Sequence, residues 1–215
     1  IARGRRPSLS LPGLERLYDR SLLALRLLTD RESGATIAAP EFDPGFTESG
    51  GYGFVGPRDL AYVVLAFLAA GRADMAAPAL RWLARTQAPE GLWLQRHWTD
   101  GSLAPCWSLH QVDEPGAALF AYEAAWRELG DEELDRELRP SARAGAEFLC
   151  AFTDPATGLP LPSVDLWEQH NGQASYSAAA VHGGLAAAAG MAARHEPERA
   201  ERYLAAAESV RAAIE

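Results

Sequence analysis

The stretch "DLAYVVLAFLAAGRADMAAPALRWLARTQAPEG", residues 59–91, decides the fold. Its apolar residues recur at three- and four-residue intervals, as in Leu60, Val63, Val64, Phe67 and Leu68, the stripe of an amphipathic helix. Gly71 suits a helix end, and the spacing predicts two consecutive helices, over 59–71 and 74–87. The second runs into "TQAPEG" (86–91), and this turn has counterparts at "TDRESG" (29–34) and "TDPATG" (153–158). All three share Thr-x-x-x-x-Gly, and each follows a predicted helix.

The same periodicity extends outward, with further helices predicted at 13–29, 115–129, 133–152, 175–194 and 197–214. Gly130 suits a helix end, while Pro115 and Pro197 sit where a first turn tolerates proline. Strand-like alternation is confined to short pieces such as "LWLQRHW" (92–98). The fold class is therefore all-α, built from units of two helices and a long loop, too long for tight repeats such as tetratricopeptides.

At 215 residues the chain has room for one domain with a real core, and we expect residues 1–215 to form one α-helical domain. No apolar run approaches the roughly 20 residues of a membrane span. "SAAAVHGGLAAAAGMAA" (177–193) is interrupted by His182 and built of small residues that suit close helix packing. The net charge of −9, from 20 basic and 29 acidic residues, argues against nucleic acid as a partner. Cys106 and Cys150 make no metal-ligand spacing, no metal or cofactor is expected, and the compartment stays open. "IARGRRPSLSLPG" (1–13) has no apolar core of a secretory signal, and "YLAAAESVRAAIE" (203–215) stops inside a helical pattern. Both ends read as cut.

Three polar clusters occupy equivalent places in the repeat. "GPRD" (56–59) opens the second helix, "WSLHQVDEPG" (107–116) the fourth, and "DLWEQHNG" (165–172) precedes the sixth. If the units are related by rotation, the even helices run parallel and their N-terminal ends share one rim, where the clusters converge. Arg58 and Asp59 can pair and hold hydroxyl groups. Trp93, Trp98, Trp107 and Trp167 fall in loops, and aromatic faces beside polar side chains suit sugars. For Trp93 and Trp98 a role in closing small satellite cores weighs equally. Glu168, next to Trp167 in sequence, is the candidate acid: a carboxyl shielded by indole stays protonated and can donate to a leaving oxygen. Gln111, Asp113, Glu114 and Gln169 complete the candidate substrate contacts, though Glu114 before Pro115 is equally well read as charge complementing a helix dipole.

Other motifs carry less. His97, His110, His170, His182 and His195 show no ligand spacing. "DEELD" (131–135) reads as a solvated helix start, and "GGYGFVGP" (50–57) lacks the lysine of a phosphate loop.

In an ordered series of segments the chain resembles glycoside hydrolase family 15, the glucoamylase, glucodextranase and bacterial trehalase group. The series runs from "YDRSLLALRLLTDRESGATIAAP" through "GGYGFVGPRDLAYVVLAFLAAG", "GLWLQRHWTDG" and "WSLHQVDEPGAALFAYEA" to "GLPLPSVDLWEQHNGQASYSAAAVHGGLAAAA". The resemblance implies an (α/α)6 toroid, the six-hairpin glycosidase barrel, with seven of twelve helices present here. It implies inverting, exo-acting hydrolysis of α-glucosides with release of β-glucose. Carried over by motif, Arg58 and Asp59 would hold hydroxyls of the released glucose, Trp107 would flank the cleaved bond, Trp167 would wall the site, and Glu168 would be the general acid. A second Glu often follows that acid in relatives; here it is Gln169. Relatives also often carry an aromatic before "PRD", where this chain has Gly56 and Pro57.

An inverting enzyme also needs a general base roughly 6.5–9.5 Å from the acid. The resemblance places that base in the second half of the barrel, so residues 1–215 are expected to lack turnover alone. Exposed apolar faces on the last helices, and self-association through them, are expected too. Two other readings stand beside this one. The first is a non-catalytic carbohydrate-binding relative. The second is another (α/α)6 enzyme such as an epimerase, in which the histidines would converge.

Overall fold

The computed structural model describes residues 11, 13–45, 50–106 and 110–215. Seven helices run through them: α1 (Leu14–Leu28), α2 (Pro57–Ala69), α3 (Ala73–Thr86), α4 (Asp113–Leu129), α5 (Glu132–Ala151), α6 (Ser175–Ala192) and α7 (Pro197–Ile214). Each lies where the hydrophobic period puts it. "LWLQRHW" is not a strand: isolated bridges from His97 to Val55 and to Leu103 pin it as loop. The paired strands are instead a short antiparallel hairpin, β1 (Ser163–Val164) with β2 (Asn171–Gly172).

The helices form two layers. α2 packs on α4 and α4 on α6 in an inner layer, and α3, α5 and α7 cover them, each following its inner partner after a short turn. The core lies between, with Phe67, Leu80, Leu83, Leu119, Tyr122, Leu149, Leu185 and Tyr203 buried in one cluster. Full burial of one such leucine is worth about 1.5–3 kcal/mol, so the apolar stripes are the main attraction between the layers.

The three Thr-x-x-x-x-Gly turns are structural repeats. In each, the threonine hydroxyl donates to the carbonyl four residues back: Thr29 to Leu25 (2.6 Å), Thr86 to Trp82 (3.0 Å) and Thr153 to Leu149 (3.0 Å). Gly34, Gly91 and Gly158 hold φ of 81°, 96° and 75°, the left-handed region that glycine enters without steric penalty. The Asp30 N–H donates to Ala35 and the Asp154 N–H to Leu159, while the middle copy closes more tightly, from Ala88 to Leu92.

Small residues bring the inner helices together. A Cβ on Gly184 of α6 would lie 2.6 Å from the Gly116 Cα of α4, and one on Gly116 would lie 2.3 Å from the Ala180 carbonyl. At the far end Arg194, just past α6, lies over the Trp126 ring at 4.2 Å and bonds Asp135 of α5 and Glu123 of α4. Exposed leucines lie on α7, at Leu204, as expected, but also on α1 at Leu17, Leu23 and Leu27. A linear stack covers only one side of each end unit, which accounts for both edges. Among the described residues no helix is long and apolar enough to cross a membrane.

Candidate functional site

The N-terminal ends of α2 and α4 are bound to each other. α2 begins at Pro57 after Gly56, with no side-chain cap from its own sequence. The missing acceptor comes from α4: the backbone N–H of Arg58 donates to Glu114 Oε2. Glu114 was expected to complement its own helix or meet substrate; it is 1% exposed and closes the first turn of its neighbour. The Arg58 guanidinium lies 2.6 Å from Asp113 Oδ2 and 3.6 Å from Glu114 Oε1. Burial pushes the Glu114 carboxyl well above the usual carboxylate range, with Arg58 opposing.

Asp59 follows in the same turn, in space that glycine provides. A Cβ on Gly56 would lie 2.4 Å from Asp59 Oδ2. Burial raises the Asp59 pKa, the charges of Glu168 and Asp113 add to the rise, and Arg58 and Arg96 pull against it.

Glu168 sits at the tip of the β1–β2 hairpin. Asp165 shapes that tip: its N–H donates to the His170 carbonyl, its carbonyl accepts from the Glu168 N–H, and its Oδ1 accepts from the N–H groups of Gln169 and His170. The turn leaves Glu168 at φ 59°, the left-handed region that few non-glycine residues adopt. Gln111, buried in the loop before α4, donates to the Asp165 carbonyl at 2.7 Å and ties the tip to the neighbouring unit.

The support around Glu168 differs from expectation. Trp167 is 77% exposed, and the carboxylate is met by the loop after α3. Gln95 Nε2 donates to Glu168 Oε1, and Arg96 Nη2 lies 3.5 Å from Oε2. Arg96 in turn lies over the Phe54 ring at 5.6 Å.

These groups surround a cleft of about 350 Å³ whose lining includes Arg58, Asp59, Gln95, Arg96, Glu114 and Glu168, with Tyr52, Phe54 and Trp167 as aromatic wall. Five of the candidate residues thus meet: Arg58, Asp59, Glu114, Trp167 and Glu168. Three do not line the cleft. Asp113 is fully buried behind Arg58, Gln111 serves as the loop tie, and Gln169 is exposed with its backbone bonded to Asp165. Trp107 lies outside the described residues. Gln95 and Arg96 were not singled out in the sequence, although their position after an odd helix matches that of the other clusters. Trp93 closes the core, fully buried with Nε1 donating to the Leu83 carbonyl, whereas Trp98 is part-exposed against Phe42 and Phe54.

The histidines do not converge. His97 is buried against Trp82, His182 bonds the Ala207 carbonyl, His195 meets Asp135 at the far end, and His110 and His170 are exposed. Among the described residues no group of His, Cys, Asp and Glu is placed to hold a metal ion. A second groove, of about 280 Å³, runs between α2, α4 and α6 beside Tyr62, Phe120 and Tyr176. It is almost wholly apolar, so the chemistry lies in the cleft.

Comparison with known proteins bears on the family. No family model matches the chain. A glucoamylase of Clostridium sp. (strain G0005) is 31% identical over 193 residues, which is 87% of this chain and 25% of that protein. A bacterial glucoamylase solved in complex with acarbose is 28% identical with a TM-score of 0.74, over 91% of this chain and 28% of that one. A solved glycosidase at 22% identity and a TM-score of 0.77, matched over 94% of this chain and 58% of its own, shares the fold. The chain spans about a quarter of the length of the curated relative it matches. Its helices are those of an (α/α)6 toroid.

Proposed function

We propose, on the premise that the chain belongs with the glucoamylases of glycoside hydrolase family 15, that it is the acid-bearing part of an inverting, exo-acting α-glucoside hydrolase. The observation that carries the reading is the meeting of Glu168 with Arg58 and Asp59 in one cleft, from separate repeat units, with Arg58 paired to Asp113 rather than to Asp59. In this reading Glu168 gives its proton to the glycosidic oxygen as the bond to the anomeric carbon breaks. Water adds to that carbon from the opposite face and passes its proton to a carboxylate, giving β-glucose. Arg58 and Asp59 hold sugar hydroxyls, and the exposed face of Trp167 stacks on the ring. Asp113 and Glu114 are engaged by Arg58 and by the first turn of α2, and the resemblance to the family puts the water-activating carboxylate in the second half of the barrel, outside residues 1–215.

The test is hydrolysis of maltose by the complete polypeptide carrying this chain, with the first-formed anomer read by proton NMR. β-Glucose is expected, with Glu168→Gln lowering turnover by about a hundredfold or more. Residues 1–215 alone should give no turnover and should self-associate in sedimentation through the leucine faces of α1 and α7. α-Glucose as first product, unchanged turnover in E168Q, or hydrolysis by residues 1–215 alone would overturn the reading.

A further inference from the structure

Two aromatic rings lie open beside the cleft. Phe42 is 56% exposed and Trp98 40% exposed, on the loops after α1 and α3, with their planes 20° apart and their centroids separated by 6.5 Å. Both meet Phe54, whose ring centroid lies 5.9 Å from that of Phe42 and 4.9 Å from that of Trp98. Phe54 also lines the cleft, so the two rings carry its aromatic wall on to the surface.

The backbone is shaped around both rings. Phe42 pairs with Gly51 across an isolated bridge, and the Glu41 carbonyl accepts from the N–H groups of Tyr52 and Gly53 at 3.1 and 2.7 Å. A Cβ on Gly53 would strike the Phe42 ring, so glycine at that position lets the ring lie against the main chain. Trp98 heads a tight turn: its N–H donates to the Ser102 carbonyl, its carbonyl accepts from the Gly101 N–H, and Gly101 holds φ 93°. Asp100 Oδ1 braces that turn by accepting from the N–H and the hydroxyl of Ser102. Rings fixed in this way lose little freedom when something stacks on them.

The chemistry of the patch selects its occupant. The faces that suit packing against further helices are the leucine flanks of α1 and α7. This patch is aromatic, lies on loops beside the cleft, and has exposed Glu41, Asp100 and Ser102 next to its rings in sequence. A packed protein surface would strip such polar groups of water. A sugar chain stacks its C–H faces on the rings and offers hydroxyls to the polar groups.

We propose that Phe42 and Trp98 form a platform on which the outer units of a malto-oligosaccharide lie when its non-reducing end occupies the cleft. This rests on the reading of the cleft as an α-glucoside site, and it makes the protein favour longer chains over the disaccharide. The rings touch neither the bond that breaks nor the sugar released; they hold the part of the chain that stays outside.

The experiment compares maltose with maltoheptaose on the complete polypeptide. The double variant F42L/W98L keeps apolar side chains and removes both flat faces. It should raise KM for maltoheptaose about tenfold with kcat within about twofold, and leave both constants for maltose within about twofold. F42Y/W98Y keeps flat faces and should match the wild type on both sugars. Should F42L/W98L not fold, Phe42→Leu alone, at the more exposed ring, should still raise the maltoheptaose KM about threefold. An unchanged ratio of the two KM values overturns the platform. The rings then either support Phe54, with both sugars affected alike, or are covered by another part of the polypeptide, with Tm lowered instead. If the wild type hydrolyses neither sugar, the hydrolase reading falls and calorimetry decides the platform by itself. Tighter binding of maltoheptaose by the wild type than by F42L/W98L supports it, and equal or absent binding overturns it.

Discussion

Replacing Arg58 by methionine keeps most of the packing volume and removes the countercharge of two buried carboxylates. Asp113 and Glu114 are 0% and 1% exposed, and Arg58 itself is 12% exposed, so water cannot take over the pairing. Removing one partner of such a cluster costs about 3–5 kcal/mol, which for a chain of this length lowers Tm by about 10 °C. The loss depends on pH in a defined direction. Folding raises the Glu114 pKa, so the folded state keeps a proton that the unfolded state releases near 4.5, and ionisation subtracts stability as pH rises above that value. Without Arg58 that subtraction grows. The deficit of R58M should therefore be largest at neutral pH and shrink toward pH 4, and the double variant R58M/E114Q should recover part of it. Urea unfolding followed by tryptophan fluorescence at several pH values reads all of this. A neutral-pH loss below about 1 kcal/mol, or a deficit that does not shrink in acid, would refute the account of the rim.

His97 gives the protein an acid limit of its own. Burial pushes its pKa down to about 4, so its contribution is complete above the unfolded value of 6.5 and is lost as pH falls from there toward 4. The loss amounts to about 3 kcal/mol at most, and His97→Gln should flatten the urea midpoint across that window. Two adjacent glycines of α6 should respond oppositely. A Cβ on Gly183 meets nothing within 4 Å, so Gly183→Ala should stabilise by about 0.5–1 kcal/mol through helix propensity. Gly184→Val drives into Gly116 and should destabilise by about 1–3 kcal/mol or more, read by the same unfolding assay.

The helices were legible because their stripes are long and their ends are punctuated. Leu60 through Leu68 carry a helical period that no strand shares, and the three glycine turns mark the repeat in the sequence itself. What escaped was whatever depends on contact between units. Nothing local to "VDEPG" says that Glu114 closes the first turn of α2, because the bond spans 56 residues of sequence. Gln95 could not be weighed because its meaning lies in meeting Glu168, which is 73 residues away. Sequence adjacency makes Trp167 a shield for Glu168, but the indole is 77% exposed on the cleft wall and the carboxylate is met instead by Gln95 and Arg96. The expectation for α7 omitted α1 because hydrophobic periodicity shows which face is apolar and does not show whether anything covers it.

The bond from Arg58 to Glu114 also limits how such arrays can be recombined. A helix grafted in place of α2 alone would arrive with an open first turn, and its host would be left with two stranded carboxylates. The smallest interchangeable piece therefore runs from Gly56 through the first turn of α4, crossing the boundary between units. Chimaeras cut at the middle glycine turn, residues 86–91, should fail at that seam, whereas those cut in mid-helix of α4 should assemble.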